Sequence, residues 1–189
     1  MSRRTAIAIA IAVLACGAPG GIATASTSKS AAGACANAGT VALDDASRVQ
    51  AAEAVRCLIN LQRASRGLRG LRASGLLQNA AARHSADMVA RKFISHTSAN
   101  GDSVRRRILR AGYVRRTRSW ILGETLTWGT GTFASPTQLV TALMQSPDHR
   151  RTILDRRFAD VGVGMVLGAP MDGMTGGRAA TVTVDFGRR

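Results

Sequence analysis

The sequence predicts a single α+β domain in which several helices pack around a small, mostly antiparallel sheet. Three observations lead to this prediction. The 189 residues are enough for one domain with a real core once an export signal is removed. The middle of the chain repeats apolar residues at helical spacing, and three later segments have the composition or alternation of strands. The sequence contains no internal repeat.

The first residues have the composition of an export signal. A short positive start precedes Thr5–Ala15, an apolar run that is too short to be a permanent membrane helix. Two endings stay open. Val13–Cys16 resembles a lipoprotein processing box, which would anchor the protein to a membrane through lipid on Cys16, whereas Ala23–Ala25 offers an A-x-A cleavage site. We therefore expect residues 1–25 to be a signal peptide and the protein to be secreted or held in the cell envelope.

A flexible arm is predicted over residues 26–46, which are rich in small and polar residues and show no period. Either processing route takes Cys16 out of the thiols of the soluble domain and leaves Cys35 and Cys57. In an oxidising compartment such a pair forms a disulfide by default, and this bond would tie the arm to the first helix. The alternative is two buried thiols.

The predicted domain occupies residues 47–189 and opens with two helices. The first begins at Ser47, keeps mostly apolar residues at three- or four-residue steps, and ends near Gly67. The second begins near Ser74 and ends by about Lys92. One face of the second helix carries Leu77, Ala81, His84 and Met88.

A connector and a third helix follow. Phe93–Ser98 has too few residues to be anything but a connector. Asp102 or Ser103 can cap the third helix, which is predicted to end at Gly112.

Strands and two more helices complete the predicted domain. Trp120–Trp128 is predicted to be a strand because its residues alternate between two faces. The Ser-Pro signals at Ser135 and Ser146 start a fourth helix and a short fifth one. Val161–Leu167 and Ala179–Phe186 are two further predicted strands, joined by a Gly-rich loop.

Two histidines of this pattern have different predicted roles. His84 lies on the apolar face of the second helix, where Asp87 could hold its ring, and we expect a satisfied core histidine rather than a ligand. His96 lies in the connector and has no packing role there. A polar residue in such a segment indicates a functional role.

Glu124 and His149 complete the candidate set. A carboxylate on the same strand face as Leu122 and Leu126 costs free energy unless it is paired or faces a cleft; the alternative is an exposed edge strand. His149 falls in the first turn of the fifth helix, whose positive end disfavours an imidazolium. A neutral ring with a lone pair is what a metal site or a general base requires, and a surface turn residue is the alternative.

Several segments, taken in order over about residues 47–187, share a pattern with one known family. These segments are Leu58–Arg63 and Ala80–Met88 of the opening helices, Ser95–Ser98, Gly123–Thr125, Ser146–Arg150, Val161–Gly164 and Asp185–Gly187. Together they resemble bacterial members of the CAP superfamily, which comprises the cysteine-rich secretory, antigen 5 and pathogenesis-related 1 proteins. Thr125 departs from the asparagine of the family's Gly-Glu-Asn segment.

The resemblance implies an α-β-α sandwich with a cleft in which His96, Glu124 and a second histidine converge. By the bacterial pattern the second histidine is His149, and these three residues are the candidate catalytic or metal-binding set. Two imidazoles and one carboxylate suit zinc or a similar divalent cation with a position left for water, and hydrogen bonds around a water molecule satisfy them equally. The family's second cleft glutamate has no match, because Leu143–Ser146 stands in that region.

The composition is strongly basic, with 26 Lys and Arg against 11 Asp and Glu and a net charge of +15. Such a protein is drawn to polyanions, and anionic lipid head groups or acidic wall polymers suit an exported protein better than nucleic acid. The candidate patch consists of Arg105, Arg106, Arg107, Arg110, Arg115, Arg116 and Arg118. The alternative is a solvated helix face. Scarce aromatic residues make single-stranded nucleic acid a poor partner.

The sequence therefore predicts a monomeric, exported binding domain for lipid or other envelope components. A hydrolase, for example a peptidase, is the first alternative, and whether the protein is an enzyme stays open. No Gly-x-Ser-x-Gly elbow is present, so a hydrolase would use water with Glu124 as the base. A cationic polyanion-binding protein is the second alternative.

Overall fold

The computed structural model describes residues 34–114, 119–173 and 178–189. The predicted signal peptide, Cys16 and the first part of the arm lie outside these ranges, as do Arg115, Arg116 and Arg118. In the part of the chain that the structure describes, no helix combines the length and the apolarity needed to cross a bilayer.

The described ranges fold into helices on both faces of one sheet. The helices are α1 (Asp45–Ala64), α2 (Gly75–Arg91), α3 (Val104–Arg110), α4 (Pro136–Gln145) and α5 (Pro147–Ile153), and the strands are β1 (Arg72–Ala73), β2 (Ile121–Thr130), β3 (Asp160–Leu167) and β4 (Ala179–Arg188). The strand order is β1-β3-β4-β2; β1 runs parallel to β3, and the other pairs are antiparallel. The predicted α+β class and mostly antiparallel sheet are confirmed.

Polar caps explain where the first three helices begin. α1 starts two residues before the predicted Ser47, because Asp44 is its N-cap. The Asp44 carboxylate accepts the backbone N–H of Ser47, and the Ser47 hydroxyl accepts the backbone N–H of Asp44. Ser74 caps α2, and Ser103 rather than Asp102 caps α3. Ser135 and Ser146 stand at the N-cap positions of α4 and α5 without a side-chain capping bond, so proline at the first helical position marks these starts.

Apolar side chains of the sheet point to one face and form the main core with α1, α4 and α5. The strands contribute Val161, Val163, Met165, Val182, Val184 and Phe186. Against the other face, α2 and the α3 region form a second cluster around Leu77, Ile108 and Tyr113. This arrangement confirms the α-β-α sandwich.

The Cys35–Cys57 disulfide is present and joins the end of the predicted arm to α1. The described part of that arm packs against the domain, because Cys35, Ala38 and Ala42 are buried in the main core. The carbonyl of Ala38 accepts bonds from both the backbone N–H and the hydroxyl of Thr137 in α4. The disulfide is confirmed, and the alternative of two buried thiols is excluded.

Candidate functional site

Glu124 lies in β2 on the sheet face covered by α2 and α3, and its side chain is almost completely buried. One carboxylate oxygen accepts a hydrogen bond from Nδ1 of His96 at 2.7 Å. The other accepts from Nη2 of Arg107 at 2.5 Å. Glu124 is therefore paired. Its strand β2 does lie at an edge of the sheet, but the side chain is not exposed to water as the alternative required. The structure brings His96 and Glu124 together as the sequence resemblance implied.

The connector after α2 positions His96. Lys92 ends α2 in the left-handed conformation, and the chain then turns back so that the backbone N–H of Ser98 bonds the carbonyl of Asp102. The side chain of His96 is 55% exposed. A carboxylate can only accept, so Nδ1 donates to Glu124, and in the neutral ring Nε2 carries the lone pair.

Arg107 is the site residue that sequence reasoning misplaced. We expected it on an exposed arginine patch, but its side chain is only 8% exposed. Besides Glu124, its guanidinium donates to the carbonyl of His96 at 2.9 Å, the hydroxyl of Ser98 at 3.2 Å and the carbonyl of Asp102 at 2.9 Å. A buried arginine must be paired, and no local signal revealed this pairing, because Glu124 meets α3 only in the folded protein.

The remaining described arginines of the predicted patch are also engaged. Arg106 and Arg110 both pair with the buried carboxylate of Asp102. The guanidinium of Arg105 lies over the ring of Trp120, 5.5 Å from its centroid. The described part of this patch therefore holds the connector and α3 together as well as facing solvent.

His84 is a satisfied core histidine, as predicted, although its partners differ from the predicted one. It is buried, with Nε2 2.8 Å from the carbonyl of Ser95 and Nδ1 3.1 Å from the hydroxyl of Ser98. Asp87 instead pairs with Arg91 and accepts the backbone N–H of Ala99, so its carboxylate faces the connector backbone. Burial is the main cause that lowers the pKa of His84 below 6.5. The neutral ring thus supports the connector that carries His96.

His149 is half-buried in the first turn of α5. Burial, followed by the charge of His96, lowers its pKa below 6.5, while Asp148 acts in the opposite direction. The predicted convergence of His149 with His96 and Glu124 stays a prediction, and a pKa below 6.5 keeps the His149 ring neutral at pH 7.

Asp185 is a buried carboxyl group that the sequence did not single out. It stands directly opposite Glu124 in the β2–β4 register and opposite Gly162 in the β3–β4 register. Its side chain is fully buried, and neither oxygen has a hydrogen-bond partner among the described residues. Burial first, and then the charge of Glu124, raise the pKa of Asp185 well above its usual value.

These contacts do not fit a three-ligand metal site that uses Glu124. Both of its oxygens are engaged, and the guanidinium of Arg107 would place a positive charge beside the metal ion. Among the residues that the structure describes, no group of three or more His, Cys, Asp or Glu is arranged to hold a metal. The predicted zinc or other divalent site at His96, His149 and Glu124 stays a prediction, and it would require Glu124 to exchange one of these partners for the metal ion.

Comparisons with known proteins agree with this fold. The family model described as cysteine-rich secretory protein family (CAP) matches residues 57–182. No curated protein sequence matches the chain.

Two solved structures share the fold. An extracellular protein containing an SCP domain from Bacillus anthracis has a TM-score of 0.61 and 20% identity, over 78% of this chain and 45% of that one. An outer surface protein from Borrelia burgdorferi has a TM-score of 0.57 and 19% identity, over 71% of this chain and 90% of that one. The chain thus spans less than half the length of the Bacillus protein.

Proposed function

Because the chain belongs to the cysteine-rich secretory protein (CAP) family, we propose that it is an exported envelope protein whose His96–Glu124 site binds a hydroxyl-bearing lipid or wall component without hydrolysing it. The observation that carries this proposal is the double engagement of Glu124 by His96 and Arg107. Export is supported by the signal-like N-terminus and by the two structural relatives, which are described as extracellular and outer-surface proteins.

The engagement of Glu124 favours binding over water activation. A general base needs a carboxylate oxygen within hydrogen-bond reach of the proton that it removes. Here one oxygen holds the ring of His96 and the other holds the guanidinium of Arg107. Glu124 therefore orients His96 and stabilises the connector.

The ligand chemistry follows from the two imidazoles. Nδ1 of His96 donates to Glu124, so Nε2 of the neutral ring presents an acceptor on a side chain that is more than half exposed. His149 adds a second neutral ring whose pKa is lowered. Two such acceptors on one surface would suit a ligand with several donors, such as the hydroxyl groups of a glycan or of a glycolipid head group.

Binding to envelope material tests this function. The protein without residues 1–25 is incubated with vesicles of extracted envelope lipids and, separately, with insoluble wall material from the same cells. We expect His96→Ala and His149→Ala each to weaken binding to the preferred probe about tenfold, which is the upper range for one lost hydrogen bond. Binding should also weaken at acidic pH, once the pH falls to the lowered pKa of His149, because a protonated imidazole no longer accepts. The exposed control Asn79→Ala should bind as the wild type does.

Two results would contradict the proposal. Release of soluble fragments from either probe, at a rate that Glu124→Gln abolishes, would make the site hydrolytic. Unchanged binding in both histidine variants would place the ligand elsewhere on the surface.

A further inference from the structure

A groove on the protein surface shares no lining residue with the His96–Glu124 site. Its walls are the turn at residues 67–72 and the segment at 156–159, and its volume is about 510 Å³. It continues past Arg157 and Arg188 into a second recess that reaches Trp120. The arginines that line it are Arg69, Arg72, Arg156, Arg157 and Arg188. We call this feature the arginine groove.

Most of the positive charge of the arginine groove is uncompensated. All five of its arginines are exposed. Arg72 pairs with Asp160, and Arg157 pairs with Asp155. The other three make no salt bridge with any residue that the structure describes. The groove therefore carries an excess of three positive charges.

A buried guanidinium beneath the groove fixes the distance between its walls. Arg63 at the end of α1 is 1% exposed. Its Nε donates to the carbonyl of Arg69 in one wall at 3.0 Å. Its Nη1 donates to the carbonyls of Ile153 at 2.7 Å and Asp155 at 3.0 Å, which lead into the other wall. Because these bonds are made before any ligand arrives, the exposed arginines stand on a rigid frame.

The floor of the groove is also rigid. Phe158 stacks on Phe186 with ring centroids 5.5 Å apart, and its ring lies so close to Gly123 that a Cβ there would be 2.6 Å away. The main-chain N–H of Ala159 bonds the carbonyl of Gly187 at 3.0 Å. Arg72 and Arg188 stand on strands, and Arg69, Arg156 and Arg157 stand on the turns that border them.

We propose that the arginine groove binds a linear polymer that carries phosphate groups along its length. Guanidinium groups bind phosphate oxygens with paired hydrogen bonds, and a phosphate chain offers repeated acceptors for the arginines of both walls. A single polymer chain can lie inside a concave groove and contact the arginines of both walls. A flat membrane surface would contact only the edges of the groove. Trp120 is the only exposed aromatic residue among the described lining residues, so base stacking contributes little.

Inorganic polyphosphate serves as the probe. The protein without residues 1–25 should bind it with an affinity that falls steeply with salt. The triple variant Arg69→Ser, Arg156→Ser, Arg188→Ser should bind at least tenfold more weakly at 0.1 M salt. The slope of log affinity against log salt should also become shallower by about 2 to 3, because each of the three lost phosphate contacts removes about 0.7–0.9. All three side chains are exposed, so the melting temperature should change little.

A charge-matched variant separates the groove from net charge. Arg83→Ser, Arg91→Ser, Arg151→Ser removes the same charge from exposed positions elsewhere and should keep the wild-type affinity. His96→Ala should also bind polyphosphate normally, since the proposal is independent of that site.

Three results would overturn the proposal. Equal loss in the two triple variants would mean that net charge alone attracts the polymer. Wild-type affinity in the groove variant would exclude the groove. Groove-dependent binding to phosphatidylglycerol vesicles without binding to polyphosphate would assign the groove to a membrane surface.

Discussion

Glu124, Asp185 and Arg107 form a buried charge group at the centre of the α2–α3 face. Two carboxylates directly opposite on neighbouring strands repel each other when both are charged. Asp185 cannot reach water, and its pKa is raised well above the usual value. The pair therefore favours a state with one negative charge, and the guanidinium of Arg107 compensates that charge. This account explains how a buried aspartate can lack charged partners of its own.

We predict that Asp185→Asn stabilises the protein relative to the wild type, and that this difference in unfolding free energy grows as the pH rises. The folded pKa of Asp185 lies above its unfolded value, so its contribution to stability is complete below about pH 3.9 and is lost as the pH rises towards the folded pKa. Asparagine removes this loss, which grows by about 1.4 kcal/mol for each pH unit between the unfolded and the folded pKa. Urea unfolding of both proteins at pH 4.5 and pH 8 measures the difference.

The exposed variant Asp172→Asn is the control for this prediction and should follow the wild type at both pH values. If the difference in unfolding free energy between the wild type and Asp185→Asn is the same at both pH values, the prediction is wrong. Asp185 would then be ionised and compensated in the folded protein.

At the scale of elements, the sequence predicted the features that depend on neighbouring residues and missed those that depend on contacts between distant segments. The Ser74 cap of α2 and the face of that helix that buries His84 follow from spacing and capping alone. The two-residue strand β1 was missed, because its order comes from parallel pairing with β3, which lies far along the chain. The burial of Arg107 was missed for the same reason, since Glu124 reaches it only in the folded sheet.

The close approach of α2 to β3 gives the prediction at this scale. A Cβ on Gly164 would lie 2.1 Å from the backbone nitrogen of Ala82, and backbone atoms of a helix cannot rotate away. Gly164→Ala should therefore cost about 1–3 kcal/mol or more of stability. Gly75→Ala at the start of α2 meets nothing within 4 Å and should be neutral or slightly stabilising. Equal unfolding free energies for the two variants in urea would mean that the helix can shift from the sheet.

At the scale of the whole molecule, the net charge of +15 did not reveal where the positive surface lies. The sequence suggested the arginines after Ser103, yet Arg107 is buried there and Arg110 pairs with Asp102. The arginine groove instead gathers residues from the turn after α1, the segment before β3 and the end of β4. Only the folded sheet brings these three segments together, so no local pattern could predict them.

The N-terminal segment gives the prediction for the whole fold. The Cys35–Cys57 disulfide closes a sequence separation of 22 residues, and the residues after Cys35 bury Ala38 and Ala42 in the main core. Replacing both cysteines by serine should cost about 3 kcal/mol, because the unfolded chain gains freedom. Urea unfolding of the variant measures this loss. The reduced wild type, which lacks the same disulfide, is the control and should lose a similar unfolding free energy.

Hydrogen exchange locates the same loss in the structure. The backbone N–H of Thr137 in α4 donates to the carbonyl of Ala38, so its protection reports whether the N-terminal segment stays docked. Without the disulfide this amide should exchange faster through local opening of the segment, while amides at the centre of β4 should change only with global stability. If Thr137 keeps its protection relative to β4, the buried alanines hold the segment by themselves. The disulfide would then act on the unfolded chain alone.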